Sequence, residues 1–457
     1  MLLTNLVSSK KKIFATTLMA LVFIFSQATI GISTSGAANG TAKIFIIEFV
    51  IFAIGLYTVF WRLIIKRELS KSSIWVKYYF TLLFTFGIFY IATFIYRYMT
   101  HMTLVSSFLL ARIIIEVCIV AISLAYFKIK FQEIFTALLL GNLVSVLFQY
   151  GIIFFGVGEI RLGNHNLLGN SITSYICLLM FYPVLVYCIS RKKDIFYTVT
   201  TWSLLALSIP TLLLAGSRIA FSVGMFEIVI SLIAVILLKK IELKKFWQLL
   251  GIFVGIIVVS FGLVGILASP VNKQNLVRSV DVPVNVYNKV VPNAMKFDVH
   301  GLFAPKNLSK AEKKKENKKK RAEDVEKSIK LSNYMRIIIN DKSKKQINAN
   351  PRNFLVGIGM SSVYTKNWGY QKPHNLVLLY LLPFGLIGTI ICYLILLGPI
   401  LLLFIERINL TKTALLMMLL TYFPTLVVSL NQPTLGTLIT CLSIITLATA
   451  TTLMDKD

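Results

Sequence analysis

Long apolar runs recur along the whole chain and constrain its fold more than any other feature. Hydrophobic residues make up 56% of the 457 residues and charged residues only 14%, and the mean hydropathy is +0.77. A soluble protein cannot bury that much apolar surface, whereas a helix of roughly 20 apolar residues spans a bilayer. The sequence therefore predicts an all-α polytopic membrane protein. We predict twelve transmembrane helices, near residues 13–30, 44–65, 74–95, 103–126, 131–155, 171–189, 195–214, 219–238, 246–268, 375–405, 413–430 and 435–453.

The positive charges between these helices alternate from one connection to the next. The two termini and every second connection carry twenty lysines and arginines, whereas the other short connections carry four, which are Lys43, Arg97, Arg161 and Arg218. Positive charge in short connections marks the cytoplasmic side of a membrane. The alternation predicts that both termini are cytoplasmic and that Arg161 and Arg218 face outward from the cell membrane. The first apolar run, after Lys10–Lys12, also resembles a signal peptide, but its length favours a membrane helix.

One connection, residues 269–373, is much longer than the others and lies on the predicted outer side. It separates nine predicted helices in residues 1–268 from three in residues 374–457. Its 105 residues include 22 Lys and Arg but only 8 Asp and Glu, so it supplies half of the net charge of +28. The Lys-rich insert around residues 305–330 is typical of a water-exposed helix or a disordered segment. Attraction to anionic lipid or an acidic glycan is the alternative, and no nucleic-acid partner is expected.

Polar residues inside the predicted helices are few. Arg112 and Glu116 lie in the fourth predicted helix, four residues apart, so they share one face and can neutralise each other. We predict an internal ion pair that braces the helix bundle. The five cysteines fall inside apolar segments without metal-ligand spacing, so we expect neither a disulfide nor a metal site. No other cofactor is expected.

Two short connections on the predicted outer side carry polar side chains that suit an anionic ligand. The stretch GEIRLGNHNLLGN (158–170) contains Arg161 and Asn166, and its Gly and Asn content predicts a tight turn. In LLLAGSRIAFS (212–222), Arg218 lies at the amino end of a helix, where unpaired N–H groups favour an anion. Its planar guanidinium suits phosphate oxygens. Anchoring of Arg218 at the membrane interface is an equally weighted alternative.

The carboxyl end of the long connection forms a third polar group. Arg336 lies in NYMRIIIND, an amphipathic stretch predicted to be helical, and the VGIG that contains Gly357 is typical of a turn. His374 and Asn375 follow Pro373 and open the tenth predicted helix. Taken alone, a histidine there is an interfacial anchor. Pro383 lies nine residues further on, inside the apolar run, and predicts a kink that would hold the start of the helix near the headgroups.

These stretches, in this order, resemble the O-antigen ligase / O-antigen polymerase family of membrane glycan-transfer enzymes. The resemblance rests on the loop with Arg161 and Asn166, on GSR ending at Arg218, on Arg336 ahead of NPRNFLVGIG, and on HN at 374–375 followed by FGLIG. The number of predicted helices and the large outer loop also match. The resemblance covers most of residues 150–405.

The resemblance implies a reaction and roles for individual residues. Enzymes of this family move a glycan from an undecaprenyl-pyrophosphate carrier to an acceptor hydroxyl at the outer face of the membrane, without a metal. It implies that Arg218 and Arg336 bind the pyrophosphate and that His374 is the base. Arg161, Asn166 and Asn375 would bind substrate. Arg278 and Arg352, on the same loop, are alternatives to Arg336.

Three functions remain open at this point. Within the family, a polymerase joins carrier-linked repeat units of a capsule, exopolysaccharide or O-antigen, with a flippase and a chain-length regulator of the same pathway as partners. A ligase moves the finished glycan to another acceptor. The Lys-, Ile- and Asn-rich composition, typical of low-GC bacteria, favours the polymerase. A transporter of lipid-linked sugars is the alternative from another class, but it would place its charges along a path through the membrane.

Overall fold

The computed structural model describes residues 29–33, 41–99, 105–127, 242–267, 337–358 and 376–405, with a few isolated positions between them. These residues are predominantly helical, as predicted. One short hairpin is the exception: β1 (Thr29–Ser33) pairs antiparallel with β2 (Thr41–Phe45), with Thr29 opposite Phe45. The β-branched residues of both strands and the small residues between them favour a hairpin. The helix predicted to begin at residue 44 therefore begins at Ile46.

The long helices lie where the apolar runs predict them. The first, α1 (Ile46–Gly55), continues without a break into a π-helical segment (Leu56–Ile65), and a 3₁₀ turn (Glu68–Lys71) follows. Then come α2 (Ile74–Met99), α3 (Val105–Phe127) and α4 (Leu243–Leu267). Helical residues 337–348 form α5, and α6 (Pro351–Val356) and α7 (Leu376–Ile405) complete the described helices. The other predicted membrane helices lie almost entirely outside the described residues, so their total of twelve remains a prediction.

Two of the described helices are long and apolar enough to cross a membrane. They are Ile74–Tyr96 in α2, which has 23 residues, and Val377–Ile395 in α7, which has 19, and 18-residue windows within them have mean hydropathies of 1.7 and 2.2. A bilayer core needs about 20 apolar residues in a helix. Length and composition together therefore indicate that the chain associates with a membrane.

Helix α3 lies at the centre of the described bundle. Every side chain from Val117 to Ala125 is buried, because α1, the π-helical segment, α2 and α7 all pack around this helix. The π-helical segment runs parallel to α3: the hydroxyl groups of Thr58 and Ser123 are 3.0 Å apart, and Arg62 Nε donates to Tyr126 Oη at 2.7 Å. Arg62 also pairs with Glu68 at 2.9 Å, which ties the end of the π-helical segment to the turn before α2.

Helices α2 and α7 run antiparallel and pack closely. Near the start of α2, the Tyr78 hydroxyl donates to the carbonyl of Leu394 at 2.8 Å, and further along, the ring of Phe86 meets that of Phe384 edge to face at 5.5 Å. Gly388 lies against the ring of Phe89. Small residues allow helix backbones to approach each other in this way. The α2–α7 pair is therefore a rigid support for the segment that lies against its end.

Candidate functional site

The six residues predicted to form the site lie outside the described residues. They are Arg161, Asn166, Arg218, Arg336, His374 and Asn375. The alternative Arg278 also lies outside, whereas Arg352 is described. Two described segments begin beside predicted site residues, because α5 starts one residue after Arg336 and α7 starts one residue after Asn375. The packing of these two segments is what the structure contributes to the site.

The α5 helix presents one buried face. Ile339, Ser343 and Ile347 are all buried and are spaced four residues apart, so they lie on the same side of the helix. Ile347 forms an apolar cluster with Leu378 and Leu382 of α7. The helix predicted around Arg336 is thus confirmed for residues 337–348, and its buried face meets α7 at Ile347.

Helix α6 is defined at both ends by its own sequence, NPRNFLVG. The side chain of Asn350 caps the amino end by accepting from the N–H of Arg352 at 2.9 Å, and Pro351 occupies the first turn, where no N–H is needed. Gly357 ends the helix, and its N–H donates to the carbonyl of Asn353 at 2.9 Å. Gly357, where the sequence predicts a turn, is thus the point at which the chain leaves the helix.

Helix α7 is kinked where the sequence predicts a kink. Pro383 has no N–H, and its ring excludes the carbonyl four residues earlier, so the helix cannot run through it regularly. The break itself lies two residues later at Gly385, which has φ 62° and ψ −169°. The side chains on either side of Pro383, Leu382 and Phe384, are buried. The first part of α7 therefore has a direction of its own, fixed by packing.

The end of α6 lies directly against the kink of α7. Gly357 also has a positive φ, 79° with ψ 164°, and a Cβ on it would lie 2.5 Å from the backbone nitrogen of Gly385. A Cβ on Gly385 would lie 2.5 Å from the carbonyl oxygen of Leu355. The N–H of Ile358 donates to the carbonyl of Leu382 at 2.9 Å, which satisfies an acceptor next to the helix break. We call this contact between Gly357–Ile358 and Leu382–Gly385 the glycine junction.

Arg352 joins the same assembly to α2. Its guanidinium carbon lies 3.8 Å from the centre of the Tyr96 ring, a distance that places it over the ring face. Stacking holds the plane of the guanidinium group, while the side chain remains exposed. The sequence does not predict this contact, since the two residues are far apart and such stacking leaves no pattern in a sequence.

The buried ion pair predicted within α3 is present. Arg112 Nε lies 3.6 Å from Glu116 Oε1, and the two side chains are 7% and 6% exposed. Both charges lie in the central helix of the described bundle, where an isolated charge would be very unfavourable. The pair is a structural feature of the bundle.

The described part of the site is thus a three-way contact. The end of the long loop, in α5 and α6, packs on the kinked start of α7 and touches the end of α2 through Arg352 and Tyr96. It brings together the two segments that adjoin Arg336 and Asn375 in sequence. No protein-family model and no curated protein sequence matches this chain.

Proposed function

We propose that the chain is a polysaccharide polymerase of the cell membrane. It joins undecaprenyl-pyrophosphate-linked repeat units, of the capsule, exopolysaccharide or O-antigen type, at the outer face. The chain crosses the membrane twelve times with both termini in the cytoplasm, and residues 269–373 form a large loop outside. Arg218 and Arg336 bind the pyrophosphate, His374 is the base, and Arg161, Asn166 and Asn375 bind the sugars.

The observation that carries this proposal is the packing of the loop's end against α7. Arg336 is bonded to the first residue of α5, and Asn375 is bonded to the first residue of α7. The cluster of Ile347, Leu378 and Leu382 joins α5 to α7, and the glycine junction joins the end of α6 to α7. A site that uses a loop arginine and His374 on one substrate requires such an arrangement.

The helix directions support the proposed crossing pattern. Successive membrane helices alternate in direction. The second and fourth predicted membrane helices (44–65 and 103–126) must therefore run in the same direction, and the third and tenth (74–95 and 375–405) in opposite directions. The π-helical segment is parallel to α3, and α2 is antiparallel to α7, as the alternation requires. The same pattern places the end of α2 and the start of α7 on one side of the membrane, and Arg352 of the long loop touches Tyr96 at that end of α2.

The proposed chemistry is a displacement at the sugar carbon that carries the pyrophosphate. The acceptor hydroxyl oxygen forms a bond to that carbon while the bond from the carbon to the pyrophosphate oxygen breaks. His374 takes the hydroxyl proton, because an imidazole with a pKa near neutrality is suited to this step. Negative charge grows on the leaving pyrophosphate, and fixed guanidinium groups stabilise it in the transition state. The lipid tail of the carrier keeps the reaction at the membrane surface.

The arginine on the long loop has three candidates, Arg278, Arg336 and Arg352. Arg336 keeps the assignment that the resemblance implies. Arg352 is the alternative for which the structure gives a physical argument, because its guanidinium carbon is held 3.8 Å from the centre of the Tyr96 ring while the residue stays exposed. Alanine variants of the three residues, compared in one polymerisation assay, decide between them.

The proposal is tested in cells by His374→Ala and Arg218→Ala. We expect both variants to reach the membrane in normal amounts but to accumulate carrier-linked single repeat units, since the chemical step slows by about 10² to 10⁴-fold. Lipid extracts and long-chain glycan are compared by gel and mass spectrometry. Arg321→Ala, the same type of change within the Lys-rich insert, is the control and leaves the glycan unchanged. Normal long-chain glycan in the His374 and Arg218 variants would contradict the proposed site.

A further inference from the structure

We propose that the glycine junction is a positioning device that sets the distance between the phosphate-binding arginine of the long loop and the base just before α7. Gly357 and Gly385 are its positioning residues, and neither touches the substrate. This inference rests on the proposed function and adds to it a pair of residues to which the resemblance assigns no role. Four features of the described residues lead to it.

The first feature is the backbone conformation of the two glycines. Both have a positive φ with ψ close to 180°, namely 79° and 164° at Gly357 and 62° and −169° at Gly385. Almost only glycine adopts this region, and such conformations persist where the surrounding structure determines them, often at functional sites. They are the only two glycines with a positive φ among the described residues. The two glycines belong to separate segments and lie against each other, which indicates that they act together.

The second feature is the absence of space between the two backbones. A Cβ on Gly357 would lie 2.5 to 2.7 Å from backbone atoms of Pro383, Phe384 and Gly385. No side chain can move aside to relieve such an overlap, because the obstructing atoms are main chain. The close approach also allows the hydrogen bond from the N–H of Ile358 to the carbonyl of Leu382. The junction therefore fixes backbone to backbone, without the freedom of side-chain rotamers.

The third feature is what lies on each side of the junction. On the loop side, Arg352 is five residues before Gly357 and is held over Tyr96. On the helix side, Leu382 is six residues after the first residue of α7 and packs with Leu378 and Ile347. On the helix side, six residues of α7 separate the junction from Asn375. On the loop side, α6 separates it from Arg352, while α6, the turn at residues 349–350 and α5 separate it from Arg336.

The fourth feature is the kink itself. Pro383 prevents a regular helix and leaves the start of α7 free to take a direction of its own, and the docked loop end defines that direction. A change that loosens the docking leaves Arg336 and His374 in place in the sequence but alters the separation of their side chains. Catalysis is very sensitive to such changes, since a displacement of about 1 Å can lower a rate by 10²-fold. Substrate binding, which uses several separate contacts, is less sensitive.

The test uses two variants of the purified full-length protein. Pro383→Ala restores an N–H inside α7 and favours a straighter helix, and Gly357→Ala forces the two backbones apart. Pro399→Ala, the same substitution in the same helix sixteen residues further on, is the matched control. Hydrogen exchange of peptides covering residues 353–360 reports the docking without any need for activity. Polymerisation of a lipid-linked repeat unit then gives KM and, after correction for the folded fraction, kcat.

We expect wild-type protein to be protected from exchange at Ile358 and the two junction variants to exchange faster there. In the same variants kcat falls by about 10 to 100-fold and KM changes by less than about threefold, while Pro399→Ala resembles wild type. Two results would overturn the inference: faster exchange at Ile358 in the variants without a loss of kcat, or an Ile358 that is unprotected in the wild type. The proposed function would still stand if the wild-type protein polymerises the repeat unit. A protected wild type that makes no polymer contradicts the proposed function instead, and the positioning role with it.

Discussion

Replacing Arg112 by leucine is expected to destabilise the protein by about 3 to 5 kcal/mol, because it leaves the Glu116 carboxylate buried without its counter-charge. Glu116→Leu should destabilise the protein by a similar amount, because it leaves the Arg112 guanidinium buried without the Glu116 carboxylate. The two side chains are 7% and 6% exposed in the central helix of the described bundle, so water cannot replace the missing partner. The measurements are the melting temperature in detergent and the fraction of monodisperse protein after extraction.

The double variant Arg112→Leu with Glu116→Leu distinguishes this explanation from a simple loss of packing. Removing both charges also removes the desolvation penalty, so the double variant should recover most of the stability lost in either single variant. Arg62→Leu is the matched control, because its partner Glu68 lies at 2.9 Å but the side chains are 35% and 30% exposed. That change should destabilise the protein much less than Arg112→Leu, because solvent screens the exposed pair. A double variant less stable than both single variants would contradict the account of the pair.

Gly385→Ala is the second change with a large expected effect. The substitution places a side chain on a residue with φ 62°, which costs about 1 to 3 kcal/mol, and its Cβ would overlap the backbone around Leu355. We expect a total loss of about 3 kcal/mol or more, seen as a lower melting temperature and a smaller folded fraction. The loss should be accompanied by faster hydrogen exchange at the start of α7.

Gly87→Ala is the control for this prediction. Gly87 lies within α2, and a Cβ on it meets nothing within 4 Å. Alanine in a helix interior is favoured over glycine by about 0.5 to 1 kcal/mol, so this variant should be as stable as wild type or more stable. Equal stability of Gly385→Ala and Gly87→Ala would mean that the backbone contact between Gly357 and Gly385 is not formed.

The positions of the described membrane helices could be predicted from the sequence because apolar length is a local property. The runs at 74–95 and 103–126 correspond to Ile74–Met99 and Val105–Phe127. The pairing of Arg112 with Glu116 also follows from local spacing, since residues four apart share a helix face. The π-helical segment was not predicted, because its apolar pattern differs little from that of an α-helix and its winding depends on neighbours such as Ser123.

The candidate site could be predicted only in part. Pro383 indicates a kink, but the position of the break at Gly385 depends on Gly357, whose backbone meets it from a separate segment. The stacking of Arg352 on Tyr96 joins residues more than 250 positions apart, and no local signal reports such a contact. Arg336, His374 and Asn375 themselves lie outside the described residues, so their roles stay a prediction.

The most direct measurement is a reaction with purified protein in lipid vesicles that contain an undecaprenyl-pyrophosphate-linked repeat unit and no nucleotide sugar. The account predicts a ladder of products that differ by whole repeat units, with release of the undecaprenyl-pyrophosphate carrier. It also predicts no ladder with His374→Ala at the same amount of folded protein. Repeat units that stay single with the wild-type protein, above all if they cross the vesicle membrane unchanged, would contradict a polymerase and favour a transporter.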